Sequence, residues 1–273
     1  MMPLSSPHVH TQFCDGQSTA VEMVQAALQA GFVSLGFSSH AKQDFELAYA
    51  LDETREQAYI AEVNRLKRLY ADQLVIRLGM ERDYYATADR SLFEYTIAAV
   101  HYIRQGEGYV SVDGDAQALA RDIRTHYQGS GFAFVQAYYA LLGRYVRTYK
   151  PNIIAHFDLV EKNNRRLKFV DSGSAEYLKA AKEAMEEAFE GCRLLEVNTG
   201  AMARSGAEAP YPALELLRFW RQLGGQVILA SDCHLAKDIA FGYEEGLSCI
   251  RKAGFDRVQY LGTSGNLFET AAI

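Results

Sequence analysis

The chain has 273 residues, 49% of them apolar, and a formal charge of -6 at pH 7. That length fits one large domain or two small ones, and the acidic balance argues against a nucleic-acid partner, although a local basic patch would not register in the total. No apolar run reaches the roughly 18 residues of a membrane span, and Met1-Met2-Pro3-Leu4 runs into His8 too soon for a signal peptide, so a cytoplasmic protein is expected.

In chain order, a β-rich run at Pro7–Thr11 holds His8-Val9-His10, whose alternation puts both imidazoles on one face of a strand. Thr19-Ala20-Val21-Glu22 reads as a capping box opening a helix with Val21, Val24 and Leu28 on one face and Gly31 as terminator. Strand-like runs follow at Val33–Phe37 and Leu74–Leu78, with a helical stripe of Tyr59, Val63, Leu66 and Tyr70 between them. Tyr95–Val100 is the next strand. The segment Arg104–Lys150 is too long for one connection. It holds Asp113-Gly114, a helical stretch from about Asp115, a break at Gly129-Ser130-Gly131 and a second helix, and reads as a helical insertion forming a wall or lid over one rim.

Further strands are expected at Asn152–Ala155, Leu194–Val197, Val227–Ala230 and, shorter, Val258–Leu261. Leu178, Ala181, Met185 and Ala188 make a helical face that stops at Gly191. Pro212 suits the first turn of a helix carrying Leu216, Phe219, Trp220 and Leu223 and closed by Gly224-Gly225. No linker or low-complexity tract interrupts this α/β alternation, so residues 1–273 read as one domain. Repeated βα units imply parallel strands covered by helices, in a barrel or a doubly wound sheet. Cys14, Cys192, Cys233 and Cys249 form no C-x-x-C pair and fit reduced thiols rather than a disulfide framework.

The histidines carry the functional signal. His8 and His10 lie in the first strand, and His40, His101, His156 and His234 each follow a predicted strand. Glu81 and Asp83 come after Leu74–Leu78, and Asp232 after Val227–Ala230. In a parallel barrel such positions share the C-terminal rim, where active sites are built. Crowding six imidazoles with Asp15, Glu81 and Asp232 is costly unless metal ions neutralise and bridge them. Imidazole and carboxylate without thiolate suit Zn²⁺, Fe²⁺ or Mn²⁺. His126 falls inside the insertion and is expected to be a surface or packing residue.

Taken together, several motifs resemble the polymerase-and-histidinol-phosphatase (PHP) superfamily. They are His8-Val9-His10-Thr11 with Phe13-Cys14-Asp15-Gly16, Phe37-Ser38-Ser39-His40-Ala41 and Gly79-Met80-Glu81-Arg82-Asp83-Tyr84. Val100-His101-Tyr102-Ile103, His156-Phe157-Asp158-Leu159, Glu196-Val197-Asn198-Thr199-Gly200 and Ser231-Asp232-Cys233-His234 continue the series in the family's order. The Asn198-Thr199-Gly200 stretch, Tyr211-Pro212 and the overall length look most like the histidinol-phosphatase branch. Pro7 departs from the Asp common in relatives, and Ala98-Ala99 from Gly-Ser, which puts the surroundings of the imidazoles in question.

The resemblance implies a distorted (β/α)₇ TIM-like barrel that holds three divalent metal ions. By motif position, His8, His10, Glu81 and Asp232 would hold one ion. Glu81 would bridge to a second, completed by His101 and His156, and Asp15, His40 and His234 would hold the third. It implies hydrolysis of L-histidinol phosphate to L-histidinol and phosphate in histidine biosynthesis. The clustered metals would acidify water, neutralise phosphoryl oxygens and stabilise the leaving oxygen, with Glu81 at the bridged pair. Asp15, His234 and metal-bound water stay open as proton donors to the leaving alcohol.

A phosphate also calls for a fork-shaped cation. Arg204, just past Asn198-Thr199-Gly200, is the first candidate, and Arg165 is chosen from Lys162, Arg165 and Arg166. Two other readings compete: a PHP-type phosphoesterase acting on a nucleotide, a cyclic phosphodiester or a nucleic-acid end, and a metal-binding protein without catalysis. Activity on a panel of phosphate esters separates them.

Overall fold

The computed structural model describes residues 2–45 and 48–273; Met1, Glu46 and Leu47 lie outside it. The chain begins with β1 (Leu4–Ser6), α1 (Ala20–Gln29), β2 (Phe32–Phe37), α2 (Glu53–Leu69), β3 (Val75–Asp83) and β4 (Tyr95–Ala99). A hairpin of β5 (Tyr102–Gln105) and β6 (Gly108–Ser111) follows, then α3 (Ala116–His126), α4 (Gly131–Tyr149) and the short β7 (Ile153–Ile154). Next come α5 (Glu161–Leu167), α6 (Ala175–Phe189), β8 (Leu194–Asn198), α7 (Gly200–Ser205), α8 (Leu214–Gln222) and β9 (Gln226–Ala230). The chain finishes with α9 (Tyr243–Lys252), β10 (Arg257–Leu261) and β11 (Phe268–Ala272).

The architecture is mixed α/β around a largely parallel sheet of order β1-β2-β3-β4-β7-β8-β9-β10-β11, in which β11 alone runs antiparallel. The far ends of the run approach one another. Val9, just past β1, pairs in parallel with Cys233, just past β9, and the His10 N–H donates to the Cys233 carbonyl at 2.8 Å. Lower down, Ser34 Oγ in β2 donates to the Leu261 carbonyl of β10 at 2.7 Å. The space between the strands is filled by large side chains such as Tyr95, which is 1% exposed. Gly36 and Gly79 make room for it: a Cβ on either would lie 2.1 Å from the Tyr95 side chain. Tyr95→Ala would empty that space, at a cost of about 3–5 kcal/mol on the scale of large aromatic deletions.

Several expectations need correction. The first strand ends at Ser6, before the expected Pro7–Thr11 run, because Pro7 has no N–H to continue the ladder. The capping box of α1 is present, Thr19 Oγ1 accepting from Glu22 N–H at 3.1 Å, but the buried face is Ala20, Met23, Val24 and Ala27. Pro212 precedes α8 rather than opening it, and the N-terminal Ala213 N–H donates to Asp158 Oδ2 at 2.8 Å. The segment 104–150 is not wholly an insertion. Its second helix, α4, buries ten residues and packs along α6, which makes it the crossover between β4 and β7. What reaches the rim is the β5–β6 hairpin and the turn after it, through Tyr102, Ser111 and Asp113.

Candidate metal centre

Strand order converges the acids and imidazoles at one end of the sheet. The chain around Val9 is pinned to Ser38, whose N–H donates to the Val9 carbonyl at 3.0 Å and whose Oγ accepts from the Val9 N–H at 3.2 Å. With Val9 so fixed, His8 and His10 both turn inward, fully buried, and their Nε2 atoms stand 3.0 Å apart. Glu81, near the end of β3, sits at the middle of the cluster and is 1% exposed. Its Oε2 is 3.2 Å from His8 Nε2, 3.3 Å from His10 Nε2 and 2.9 Å from His40 Nδ1. Its Oε1 is 3.0 Å from His156 Nε2 and 3.6 Å from His101 Nε2. One carboxylate thus faces five imidazoles.

Asp232 follows β9 in the left-handed backbone region, at φ 46°, which aims its carboxylate back into the cluster. Oδ1 lies 3.3 Å from His10 Nε2 and 3.6 Å from His8 Nε2. Asp15 Oδ1 is 3.6 Å from both His40 Nε2 and His10 Nδ1, and its Oδ2 is 3.2 Å from His234 Nε2. All nine ligand candidates therefore come together. His126, at the end of α3, is exposed and apart from them.

Charge is strongly coupled here. Burial alone would raise the Glu81 pKa, yet the imidazoles, His40 and His8 foremost, drive it well below the usual carboxylate range. Asp232 is lowered too, against its burial, by Arg204 and His8. Burial opposes a charged His8 and His40, but the facing carboxylates lift both to about 10. His234 moves the other way, lowered by burial and by His10.

The donor set fits divalent metal. His10, Asp15, His40 and His234 offer ligand atoms within 4.8 Å of one another, as do His8, His10 and Asp232, and also His40, Glu81 and His101. Buried Glu81 Oε2 lacks a hydrogen-bond partner of acceptable geometry. Buried lone pairs surrounded by imidazole nitrogens are what a cation would satisfy.

Outer partners orient these groups, and two were not assigned a role from sequence. Glu196 Oε2 stands 2.7 Å from His8 Nδ1, while Oε1 accepts from the His156 N–H at 3.3 Å and from Asn198 Nδ2. Asp83 Oδ2 accepts from the His101 N–H at 2.6 Å and faces His101 Nδ1 at 3.2 Å. Such contacts fix which imidazole nitrogen remains for metal. Alternation was the available signal: Asp83 shares a strand face with Glu81, and Glu196 with Asn198. Cys14 also enters, its Sγ 3.4 Å from His10 Nδ1. Burial opposes thiolate formation there, but His10 and His40 bring the Cys14 pKa down to about 6.

The cluster floors a cavity of about 540 Å³. Arg204, on α7, lines it and donates from Nη2 to Asp232 Oδ2 at 2.7 Å and from Nη1 to the Asp232 carbonyl. Arg165 does not line this cavity. One turn of α5 beyond Lys162, its guanidinium lies 5.4 Å over the Tyr211 ring, and Arg165 lines a separate hollow.

The PHP domain model matches residues 6–200, well over half of the chain. The chain belongs to the PHP domain family. Asp232 and His234 lie beyond the span matched to the PHP domain and reach its centre by way of β9. Among its relatives, the chain is 27% identical to a probable histidinol-phosphatase of Deinococcus radiodurans, covering 93% of this chain and 95% of that one. It is also 27% identical to a histidinol-phosphatase of Bacillus subtilis, covering 87% and 96%.

Two solved structures share the fold. A Listeria monocytogenes protein with a provisional histidinol phosphatase name superposes with a TM-score of 0.76 at 21% identity, covering 88% of this chain and 98% of that one. Histidinol phosphate phosphatase of Lactococcus lactis, complexed with zinc, L-histidinol and phosphate, gives 0.67 at 21%, covering 93% and 95%. These likenesses place the chain in the histidinol-phosphatase branch of the PHP family.

Proposed function

We propose that this chain is a metal-dependent phosphoric monoester hydrolase that converts L-histidinol phosphate to L-histidinol and phosphate. The observation that carries the reading is Glu81, one buried carboxylate facing five imidazoles beside Arg204 in a single cavity. The names of the relatives give the substrate. The reading takes residues 1–273 as one domain and the sheet as a distorted seven-stranded barrel, for which the Val9–Cys233 pairing is the support.

The reading assigns three divalent ions of Zn, Fe or Mn to the centre: one to His8, His10, Glu81 and Asp232, one to Glu81, His101 and His156, and one to Asp15, His40 and His234. Bound there, such ions supply Lewis acidity and ionise water near neutral pH. The chain's own part is orientation and charge. Glu196 and Asp83 hold His8 and His101 through their Nδ1 atoms. Arg204 presents a guanidinium to phosphoryl oxygens, which a planar fork meets with two parallel hydrogen bonds. Asp15 and His234, whose Oδ2 and Nε2 are 3.2 Å apart at the more open end of the cluster, and water held at the ions are the three candidates for delivering a proton to the departing alcohol.

Steady-state hydrolysis of L-histidinol phosphate, nucleoside monophosphates, cyclic phosphodiesters and nucleic-acid ends tests the assignment. A kcat/KM highest on L-histidinol phosphate is the expected result; a clear preference for any other class on the panel would falsify it. Among the described residues no helix is long and apolar enough to cross a membrane.

A further inference from the structure

The cavity above the metal centre has a second charged feature besides the metal cluster and Arg204. The turn after the β5–β6 hairpin brings Asp113 to the cavity lining, where its Oδ2 accepts from Lys162 Nζ of α5 at 2.8 Å. Apart from Asp15, Glu81 and Asp232 of the metal cluster, Asp113 is the one carboxylate lining the cavity among the described residues. Tyr49 and Tyr102 line the cavity as well, their rings inclined by only 12° with centroids 6.3 Å apart.

A carboxylate is an unexpected neighbour for a phosphate ester, because it repels the dianion. Its presence makes sense if the other half of the substrate is positive. A carboxylate in a cavity that also carries two tyrosine rings suits an ammonium or imidazolium, by charge-assisted hydrogen bonding and by attraction to the ring quadrupoles. Lys162 does not cancel this role. It takes one carboxylate oxygen, and its charge, acting against the burial of Asp113, holds that carboxyl below its ordinary pKa and so ionised. A carboxylate can accept from more than one donor, so Asp113 retains capacity for a ligand cation.

We propose that Asp113, in the cavity it lines with Tyr49 and Tyr102, is the specificity-determining residue that receives the cationic organic half of the phosphate ester. The inference rests on the phosphatase reading above and narrows its substrate class to esters carrying an ammonium or imidazolium. It gives the cavity two poles: metal cluster and Arg204 for the phosphoryl group, and Asp113 for the cation that must be read at the same time.

The test compares wild-type enzyme, Asp113→Asn and Asp113→Glu on three esters: L-histidinol phosphate, O-phosphoethanolamine, which has an ammonium without imidazole, and phenyl phosphate, which has no cation. Metal content and melting temperature of each variant serve as controls for folding. Asp113→Asn is expected to lower kcat/KM on L-histidinol phosphate by about 10-fold or more, mainly through KM. Phenyl phosphate should stay within about threefold of wild type, and Asp113→Glu should recover part of the loss. A parallel loss on O-phosphoethanolamine identifies the ammonium as the group read; a loss confined to L-histidinol phosphate identifies the imidazolium. Equal losses on all three esters, or none on any, would overturn the proposal. So would a wild-type enzyme that prefers phenyl phosphate to both cationic esters. A wild type that ignores L-histidinol phosphate yet favours O-phosphoethanolamine in an Asp113-dependent way would refute the named substrate and leave this inference standing.

Discussion

Arg204 and Asp232 are joined at two points: the guanidinium donates from Nη2 to the Asp232 carboxylate at 2.7 Å and from Nη1 to the Asp232 carbonyl. A residue expected to clamp phosphate is therefore also braced against a ligand candidate, and its position is fixed before substrate arrives. Gly200 keeps this contact possible, since a Cβ there would stand 2.8 Å from Arg204 Nη1 and 2.9 Å from Asp232 Cβ.

For Arg204→Ala we expect kcat/KM on L-histidinol phosphate to fall by about 10²-fold or more. Metal affinity should weaken as well, by up to about 10-fold, because Asp232 loses its brace. Arg204→Lys should recover only part of the activity, as an ammonium keeps the charge without the fork. Near-wild-type kinetics for both variants would return the phosphate role to Lys162, whose ammonium belongs to the cavity lining.

Glu81→Ala should strip metal and lower kcat by more than the roughly 10–100-fold typical of losing an outer partner. His126→Ala should leave both unchanged, since that side chain is exposed and remote from the cluster. Metal analysis and steady-state kinetics run side by side would expose the error if the two variants behave alike.

Glu196→Gln probes orientation rather than ligation. The amide keeps the size of the side chain but loses the charge facing His8 Nδ1 at 2.7 Å. Metal affinity, measured by competition with a chelator, should drop by about 10–100-fold while the fold persists. An unchanged affinity would mean that His8 is held by packing alone.

Chelated protein should be inactive, regain activity with Mn²⁺, Fe²⁺ or Zn²⁺, and show an unusual pH dependence of stability. His8 and His40 have folded pKa values near 10 against an ordinary 6.5. A raised pKa contributes stability that is complete below about 6.5 and is lost as pH rises through about 10. Glu81 and Asp232 are lowered, so their contribution is present above the ordinary carboxylate range and disappears on acidification. Metal-free protein should therefore denature more easily at pH 9 than at pH 6, values set by those two limits, roughly. Loaded protein should show the opposite trend in metal affinity, because ligating imidazoles must be neutral. Urea titrations of both forms across this range decide it; a flat profile for the chelated form contradicts the coupling.

Gly16→Ala should damage the site without touching a ligand. A Cβ at Gly16 would lie 2.5 Å from the Thr11 backbone nitrogen and 2.7 Å from the His10 carbonyl carbon, so the turn carrying Asp15 must shift. Reduced metal occupancy with little change in melting temperature is the expected signature.

Much of this molecule was legible in its residues taken in order. The strand ends that carry His40, Glu81, His101, His156 and Asp232 could be read because strands are local, apolar and bounded by turn signals. Residue types named the chemistry, since imidazole and carboxylate without thiolate already point to hard and borderline metals. The motif order supplied the family, which the match over residues 6–200 bears out. Local rules also failed where a neighbour decided. The first strand stops at Pro7, and α4 is a packed crossover because it lies along α6, which no periodicity within 104–150 could reveal.

Tertiary structure alone decided who stands next to whom. That Glu196 meets His8 across 188 positions, and Arg204 meets Asp232, follows from β8 lying beside β9 and from the Val9–Cys233 pairing. Arg165 was separated from Lys162 by a single helical turn, enough to keep it out of the cavity lining that Lys162 joins. Period and composition report the face a side chain takes on its own element. Which faces meet is set by strand order and register, whose energies are summed over contacts far apart in the chain.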